Sequence, residues 1–372
     1  MSEEIETPDP LPPVPRSVIE EVVFPAIPAP GAAMLLALQH QLERSQWWPA
    51  AVLEQQQRRQ LGQLLGHAAA TVPFYGRRLA AAGYQPGQTL TPEFWQRLPI
   101  LRRQDVQAAG NGLLSMAVPA SHGAIRGITS SGTTGKPVAT AKTQLEQLIW
   151  QAITLREELW HARQWQGTTV AVIRSFGEGK YAYPEGGLIE DWGTPLADVY
   201  PTGPAVALDM TAGVGQQAEW LIRRDPDYLL TDASNLRQLA AYFRDQRLPL
   251  PRLRDVRAVG GAVDAALRQS CRDAWGVTVV DIYSCSEAGY LAIQCPEGEQ
   301  LHVQMESVLL EVLDADGHPC PPGIVGEVVV TPLHNFATPF IRYAIGDHAE
   351  MGEPCRCGRG LAVLGRVLAR NP

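Results

Sequence analysis

The stretch of this sequence best suited to chemistry is a run of hydroxyls, glycines and one lysine, Ser130-Ser131-Gly132-Thr133-Thr134-Gly135-Lys136-Pro137. Glycines let the backbone approach an anion closely, while N–H groups, hydroxyls and the ammonium can donate to phosphate oxygens. A helical apolar pattern begins at about Leu145, as expected where a phosphate loop opens toward a helix. The run is not a Walker A motif, which requires glycine at Ser130 and Ser or Thr at Pro137. A Ser/Thr/Gly surface linker is the alternative interpretation.

Two further polar loops follow predicted strands. Gly260-Gly261-Ala262 comes after Val256–Val259, and Tyr283-Ser284-Cys285-Ser286-Glu287 comes after Val277–Ile282. Ligands of parallel α/β sheets bind beyond the carboxyl ends of the strands, so both loops are predicted to face the phosphate-binding run. Taken alone, Glu287 is equally compatible with a surface glutamate in a turn.

A third motif, Arg342-Tyr343-Ala344-Ile345-Gly346-Asp347, places a carboxylate directly after a glycine. A carboxylate can accept two O–H donors at once, which suits it to the two hydroxyls of a ribose. A Gly-Asp turn between strands is the alternative interpretation.

Thiolates and imidazole occur together near the C-terminal end, at Cys295, His302, Cys355 and Cys357. This ligand set suits a closed tetrahedral Zn²⁺ site that would join two loops. The spacing is not C-x₂-C, and reduced cysteines in turns explain the pattern equally well.

Taken in order, these motifs resemble those of the adenylate-forming enzymes, the superfamily of acyl-CoA synthetases, adenylation domains and luciferases. The branch that they resemble most is phenylacetate-CoA ligase. The resemblance runs from about Leu61 to Arg366 and includes Val72-Pro73-Phe74-Tyr75 and Leu98-Pro99-Ile100-Leu101. It implies ATP- and Mg²⁺-dependent activation of a carboxylic acid to an acyl-adenylate, followed by transfer to the thiol of CoA or of an acyl carrier protein.

The resemblance also implies roles for individual residues. Lys136, Ser286 and Glu287 would be catalytic, with Glu287 holding Mg²⁺, and Cys355-Arg356-Cys357-Gly358-Arg359 resembles a "C-x-CGR" string that carries zinc in some phenylacetate-CoA ligase-like proteins. Ser284 stands where the family usually has glycine, and Ile345 replaces a usual threonine. The nucleotide-binding residues would be Ser130, Ser131, Gly132, Thr133, Thr134, Gly135, Lys136, Gly260, Gly261, Ala262, Tyr283 (beside the adenine), Ser286, Asp347 (on the ribose) and Arg366 (on ribose or phosphate).

Three aromatic residues bear on which carboxylic acid the protein would activate. Phe176, Tyr181 and Tyr183 lie in the loop after the predicted strand Thr168–Ile173, near where the family lines its acyl pocket. They predict an aromatic or flat substrate, although aromatic side chains in such a loop are more often packing residues.

The elements that must position these residues form three parts. Residues 1–30 hold eight prolines and six acids, a composition typical of a disordered or extended tail. Amphipathic helices are predicted over 32–82, and residues 118–280 then alternate between β-branched runs and helical segments, as in a mainly parallel layered α/β sheet. Short β runs after Leu301 predict a small β-rich, barrel-like subdomain. The predicted divisions are therefore a tail over 1–30, an α/β core over 31–300 and a β-rich part over 301–372.

Composition excludes several classes of protein. The 372 residues carry a formal charge of −8, which argues against a nucleic-acid surface. Apolar stretches fall short of the ~20 residues that a membrane span needs, and the acidic N-terminus is unlike a signal peptide. We therefore expect a cytoplasmic protein with free or metal-bound cysteines, which could act as a homodimer.

Members of the family continue past a "GR" like Gly365-Arg366 into a C-terminal lid domain that brings a catalytic lysine. This sequence ends at Pro372, so the lid domain is expected to be absent and a separate protein could supply it. Two functional interpretations stay open: an acyl-adenylating enzyme, or a nucleotide- or acyl-adenylate-binding protein without turnover.

Overall fold

The computed structural model describes residues 13–129, 139–177 and 179–368. The predicted N-terminal helices are present, and proline occupies the first turn of two of them, where its missing N–H costs no hydrogen bond. Residues 13–29 form neither helix nor strand, and the Arg16 N–H donates to the Val199 carbonyl at 2.7 Å. The α-helices of the described residues are α1 Pro30–Ser45, α2 Ala50–Thr71, α3 Pro73–Ala81, α4 Pro92–Arg97, α5 Arg103–Ala109, α6 Gln144–Trp160, α7 Leu196–Val199, α8 Val214–Arg224, α9 Ala233–Gln246 and α10 Ala265–Trp275.

Strands account for most of the remaining regular structure, and those predicted from β-branched runs lie where the runs do, within a few residues. None of the described helices is long and apolar enough to cross a membrane. The strands are β1 Ile125–Thr129, β2 Ala139–Thr143, β3 Val170–Arg174, β4 Gly187–Ile189, β5 Ala205–Asp209, β6 Tyr228–Thr231, β7 Asp255–Val259, β8 Thr278–Cys285, β9 Gly289–Gln294, β10 Leu301–Val303, β11 Val308–Leu313, β12 Val325–Pro332, β13 Tyr343–Met351 and β14 Val363–Leu368.

Twelve of the described strands form one sheet in the order β11-β12-β13-β14-β10-β9-β8-β7-β6-β3-β5-β4. Strands β5, β3, β6, β7 and β8 are parallel, and β9 to β14 are antiparallel to their neighbours. The predicted α/β class, with a mainly parallel core and a β-rich C-terminal part, is confirmed. The two parts share one hydrogen-bonded sheet because the short strand β10 pairs with β9 on one side and β14 on the other.

The parallel strands are nearly continuous apolar runs, as expected for strands that helices cover. β5 is buried at every position, and Trp220 of α8 and Phe243 of α9 are fully buried beside it in one apolar cluster. Aspartates cap two of these helices: Asp232 accepts from the Asn235 N–H, and Asp264 accepts from the Leu267 N–H. The chain direction of the strands therefore brings the loops after β3, β6, β7 and β8 to one edge of the sheet.

The segment between the phosphate-binding run and α6 differs from the expectation. The run was expected to open toward the helix, but the extended strand β2 intervenes and pairs with β1. The hairpin is anchored at Ala141, whose N–H donates to the Thr338 hydroxyl at 2.8 Å. β-Branched Thr140 and Thr143 favour the extended conformation, and Thr143 then caps α6 by accepting from the Glu146 N–H.

A buried charge network fixes the C-terminal end of α6 to β7. The Arg163 guanidinium lies 2.8 Å from the Glu157 carboxylate and 3.0 Å from that of Asp255, and both Arg163 and Glu157 side chains are 1% exposed. Arg257 of β7 pairs with Glu158. Removing one member would leave a buried charge without its partner, so the network holds α6 and β7 in one arrangement.

Both short N-terminal strings that carried the family resemblance contact the segment before Asp347. The Tyr75 hydroxyl accepts from the Ile341 N–H at 2.9 Å. Leu101 donates to the Arg342 carbonyl and accepts from the Ala344 N–H, at 2.8 and 3.0 Å. The buried Arg342 side chain donates to the Leu98 carbonyl at 2.7 Å. The helical N-terminal region therefore supports the strand that presents Asp347.

Candidate active site

Two predicted motifs meet in a direct hydrogen bond. The Tyr283 hydroxyl, near the end of β8, donates to Asp347 Oδ2 on β13 at 3.0 Å. Gly346 has φ +85°, a conformation that favours glycine and sets the backbone immediately before the carboxylate. Tyr283 is buried and Asp347 half-buried, so the carboxylate is held by a buried ring while still reaching the surface. This geometry suits an acceptor for ligand hydroxyls.

Ser286 and Glu287 lie in the turn between β8 and β9. Ser286 is exposed and Glu287 half-buried. Within the described parts of the chain, no lysine or arginine forms an ion pair with the Glu287 carboxylate. Burial, and next the Glu287 charge, raise the pKa of the neighbouring Cys285 thiol to about 12. The turn therefore offers a hydroxyl and a carboxylate without a cationic partner among the described residues, beside a thiol whose raised pKa keeps it protonated at neutral pH.

Gly260 and Gly261 directly follow β7 and have φ +84° and +78°. Two successive left-handed residues would strain any residue with a Cβ. The Gly260 carbonyl accepts from the Ala233 N–H at 3.1 Å, which ties this loop to the start of α9. Gly260, Gly261 and Ala262 thus lie at the same edge of the sheet as the Tyr283–Glu287 turn, as the strand order requires.

The predicted phosphate-binding run, residues 130–137, lies outside the described residues. This holds for Ser130, Ser131, Gly132, Thr133, Thr134, Gly135 and Lys136, while the flanking residues Thr129 and Ala139 pair in the β1–β2 ladder. Arg366, the other predicted nucleotide contact, is exposed on β14 and pairs with Glu350 of β13 at 3.3 Å. Its partner in this structure is therefore a neighbouring strand.

The three aromatic residues predicted to meet the acid occupy the loop between β3 and β4. Phe176 and Tyr181 stack edge to face at 4.8 Å between ring centroids. The Tyr183 hydroxyl donates to Glu219 of α8 at 2.8 Å. All three are half-buried; Phe176 and Tyr181 pack on each other within the loop, and Tyr183 connects the loop to α8.

The predicted metal ligands come together. Ligand atoms of Cys295, His302, Cys355 and Cys357 all lie within 4.8 Å of one another. The Cys295 and Cys355 sulfurs are 3.7 Å apart, and Cys357 Sγ lies 3.3 Å from His302 Nε2. Tetrahedral Zn²⁺ with Zn–S bonds of 2.3 Å separates its sulfurs by about 3.8 Å. Burial, and next the Arg359 charge, lower the pKa of His302 to about 4, which favours the neutral imidazole that binds metal. The cluster therefore fits a tetrahedral metal ion.

Arg359, two residues after Cys357, makes contacts that sequence reasoning missed. Its guanidinium carbon lies 4.6 Å from the ring centroids of both Trp47 and Trp160, and its Nε donates to Gln46 Oε1 at 2.7 Å. Cation–π contacts of this kind join residues 352–362, the connection between β13 and β14 (the cysteine loop), to the α1–α2 connection and to the end of α6. Only the "CGR" string marked Arg359, and nothing in the sequence marked the two tryptophans.

Comparison with known proteins agrees with this fold. No protein-family model matches the sequence. The phenylacetate-coenzyme A ligase of Thermus thermophilus is 30% identical over 332 residues, covering 87% of this chain and 71% of that protein. The enzyme of the same name from Pseudomonas putida is 28% identical, covering 83% of this chain and 65% of that protein. The chain thus spans about two thirds of the length of these relatives.

A solved structure of 2-hydroxyisobutyryl-CoA ligase, in complex with R3-HIB-AMP, superposes with a TM-score of 0.69 at 22% identity, covering 88% of this chain and 70% of that one. A second structure of that ligase, with 2-HIB-AMP and CoA, gives a TM-score of 0.68. The fold is that of an adenylate-forming CoA ligase. With the identity and coverage found above, the chain belongs to the phenylacetate-CoA ligase family.

Proposed function

We propose that this protein activates an aryl carboxylic acid with ATP and transfers the acyl group to CoA. The observation that carries the proposal is the Tyr283–Asp347 hydrogen bond, because it joins two motifs that the family resemblance assigns to one nucleotide. In the first step a carboxylate oxygen of the acid attacks the α-phosphorus of ATP, and pyrophosphate leaves. In the second step the CoA sulfur attacks the acyl carbon, the thiol proton is lost, and AMP leaves.

Individual residues then have distinct tasks. Asp347 accepts the ribose hydroxyls while Tyr283 orients its carboxylate, and Gly260-Gly261-Ala262 form the floor beside the adenine. Ser286 donates to a phosphate oxygen. Ser130 to Gly135 and Lys136 hold the departing pyrophosphate, a preorganised electrostatic role that counts most as charge develops. Arg366 would leave Glu350 to contact ribose or phosphate.

Glu287 is the residue that fits Mg²⁺, since its half-buried carboxylate has no cationic partner among the described residues. Mg²⁺ would neutralise charge on the phosphate oxygens. The role of Glu287 itself is to fix a negative charge beside the Ser286 hydroxyl at the end of β8.

We further propose that Cys295, His302, Cys355 and Cys357 bind a structural Zn²⁺. The support is the ligand geometry, with the four ligand atoms within 4.8 Å of one another. A closed four-ligand site has no open position for substrate, so the metal would serve stability. It would hold the cysteine loop where Arg359 reaches the N-terminal helices.

Acid-dependent exchange of labelled pyrophosphate into ATP tests the proposal, with CoA thioester measured by chromatography. A panel of aryl, fatty and amino acids should show exchange with aryl acids, and replacing Glu287 by Gln should lower the rate about 10²- to 10³-fold. Exchange that is absent with every acid, although ATP binds, would contradict catalysis and leave a nucleotide-binding protein.

A further inference from the structure

The first turns of α6 border the Ser286–Glu287 turn. A Cβ at Gly289 would lie 2.8 Å from Cδ1 of Trp150, so the indole rests against the backbone two residues after Glu287. The Trp150 ring is also 6.2 Å from that of Tyr290, edge to face. Lys142, just before the helix, is close enough for its charge to lower the pKa of the Cys285 thiol against the larger effect of burial. Side chains on this face of α6 therefore lie beside the proposed reaction site.

An incompletely satisfied ion pair occupies this face. Lys142 Nζ lies 3.2 Å from Glu146 Oε1, with the two side chains 20% and 11% exposed. The other carboxylate oxygen, Glu146 Oε2, is buried and has no hydrogen-bond partner among the residues that the structure describes. Burial also raises the pKa of Glu146, against the lowering effect of Lys142. A buried acceptor without a donor is costly, so an unsatisfied one requires a partner that the protein itself does not supply, such as a water, an ion or a ligand. Of the atoms in this condition, Glu146 Oε2 is the one whose helix face lies beside the Ser286–Glu287 turn.

Helix capping does not account for Glu146. Thr143-x-x-Glu146 has the sequence of a capping box, in which the glutamate side chain returns to the N–H of the capping residue. Thr143 does accept from the Glu146 N–H, at 3.2 Å. The carboxylate, however, turns to Lys142 with one oxygen and to no described group with the other. Glu146 and Trp150 are four residues apart and so share one helix face.

We propose that Glu146 Oε2 accepts a hydrogen bond from the acid substrate, so that the preferred substrate is an aryl acid bearing a neutral donor, an aromatic amine or a phenol. Trp150 supplies a flat apolar wall for the ring. Lys142 already balances the Glu146 charge, so a neutral donor fits better than an ammonium group. This inference rests on the proposed function and specifies its substrate class.

Matched acids test the inference in the chain of 372 residues. Benzoate and phenylacetate are compared with their ortho, meta and para hydroxy and amino derivatives and with the aminomethyl compounds as ammonium probes. Pyrophosphate exchange gives kcat/KM for each acid. Calorimetry with a non-hydrolysable ATP analogue gives affinity without turnover. One hydroxy or amino isomer should exceed its parent at least about 10-fold, and the aminomethyl compounds should not.

Two variants and one control locate the effect. Glu146→Ala should lower kcat/KM for the preferred acid about 10- to 100-fold more than for the unsubstituted parent, because only the preferred acid loses a charge-assisted hydrogen bond. The double variant Lys142→Met, Glu146→Leu removes both charges, so no unpaired lysine is left in the site. This variant should have a higher kcat/KM for the unsubstituted acid than for the donor-bearing acid. As the control, Glu54→Ala removes an exposed ion pair of the same spacing, in which the Glu54 carboxylate lies 2.8 Å from the Arg58 guanidinium. This variant should change kcat/KM for neither acid.

The outcomes separate this inference from the proposed function. Exchange without any preference for donor-bearing acids, or equal losses for both acids in Glu146→Ala, would overturn the inference alone. A donor preference in binding without exchange would support the inference and contradict catalysis. Neither exchange nor binding by any acid of the panel would overturn both.

Discussion

At the scale of residues, Asp347 is the group whose proposed role is most specific. Its carboxylate is fixed by the Tyr283 hydroxyl at 3.0 Å and follows a glycine with φ +85°. A carboxylate that accepts ribose hydroxyls contributes to the binding of every adenine nucleotide, whatever the number of phosphates. Loss of this carboxylate should therefore weaken the binding of ATP and the binding of AMP to a similar degree.

We predict that Asp347→Ala weakens ATP and AMP binding about 10- to 100-fold, as expected for loss of hydrogen bonds to a charged acceptor. Isothermal titration calorimetry measures both affinities, and circular dichroism checks the fold. Asp316→Ala, in the exposed turn after β11, is the matched control. Unchanged affinity in folded Asp347→Ala would remove the ribose assignment. Lys136→Ala should instead weaken ATP more than AMP.

Part of this site was predictable from sequence and part was not. Asp347, Tyr283 and Glu287 stand in short strings whose residue types already suit a nucleotide. The hydrogen bond between Tyr283 and Asp347 was not predictable, because the two residues are 64 positions apart and only the pairing of strands brings them together. Glu146 was hidden for another reason: its sequence context is that of an ordinary capping box.

At the scale of elements, the cysteine loop is a connection between parts of the fold. It links β13 to β14 and brings Arg359 against Trp47 and Trp160. If Zn²⁺ holds the loop, the metal binds only the folded state and stabilises it by linkage.

We predict that purified protein carries close to one equivalent of zinc, and that chelation lowers its melting temperature by several degrees. Metal analysis and a thermal melt with and without chelator measure both. Cys357→Ser should lose the metal, while Cys320→Ser, a buried cysteine outside the cluster, should keep it. Protein prepared without chelator and free of zinc would contradict the proposal.

Strands whose sequence carries a clear apolar or β-branched pattern lie where the sequence predicted them. The predicted strand Val256–Val259 lies within β7, Asp255–Val259, because a short apolar run between two helices has few alternatives. β10 was not predicted: its three residues carry too weak a pattern, although they connect the two parts of the sheet. β2 was missed because Ala139–Thr143 contains two small alanines and a lysine, and its extended form depends on pairing with β1.

At the scale of the whole molecule, two half-buried histidines make the free energy of unfolding depend on pH. Burial, and next the Arg163 charge, lower the pKa of His161 to about 4; burial, and next the His122 charge, do the same for His334. The unfolded chain, with histidine pKa near 6.5, binds more protons than the folded chain between those values. The free energy of unfolding should therefore fall as pH drops from about 6.5 to 4 and be fully retained above 6.5.

Urea denaturation at several pH values measures this slope. The double variant His161→Gln, His334→Gln should reduce the slope but not abolish it, because His302, whose pKa is also lowered to about 4, keeps its contribution. His318→Gln, with a side chain 68% exposed in a turn, should leave the slope unchanged. The same slope in the double variant and in the wild type would show that other groups carry the acid sensitivity.

The hydrogen bonds between the N-terminal helices and the C-terminal part of the chain also have a consequence for folding during synthesis. The Gln57 side chain donates to the carbonyls of Met305 and Val308, which lie 248 and 251 positions later in the sequence. The Tyr75 hydroxyl accepts from the Ile341 N–H, 266 positions later. At roughly 5 to 20 residues per second, a ribosome needs on the order of 10 to 50 seconds to cover that distance. Throughout that interval the apolar faces of α2 and α3 have emerged without their partners. Nascent chains of this protein must therefore hold α2 and α3, which contact each other, without their C-terminal partners until about 266 further residues have been made.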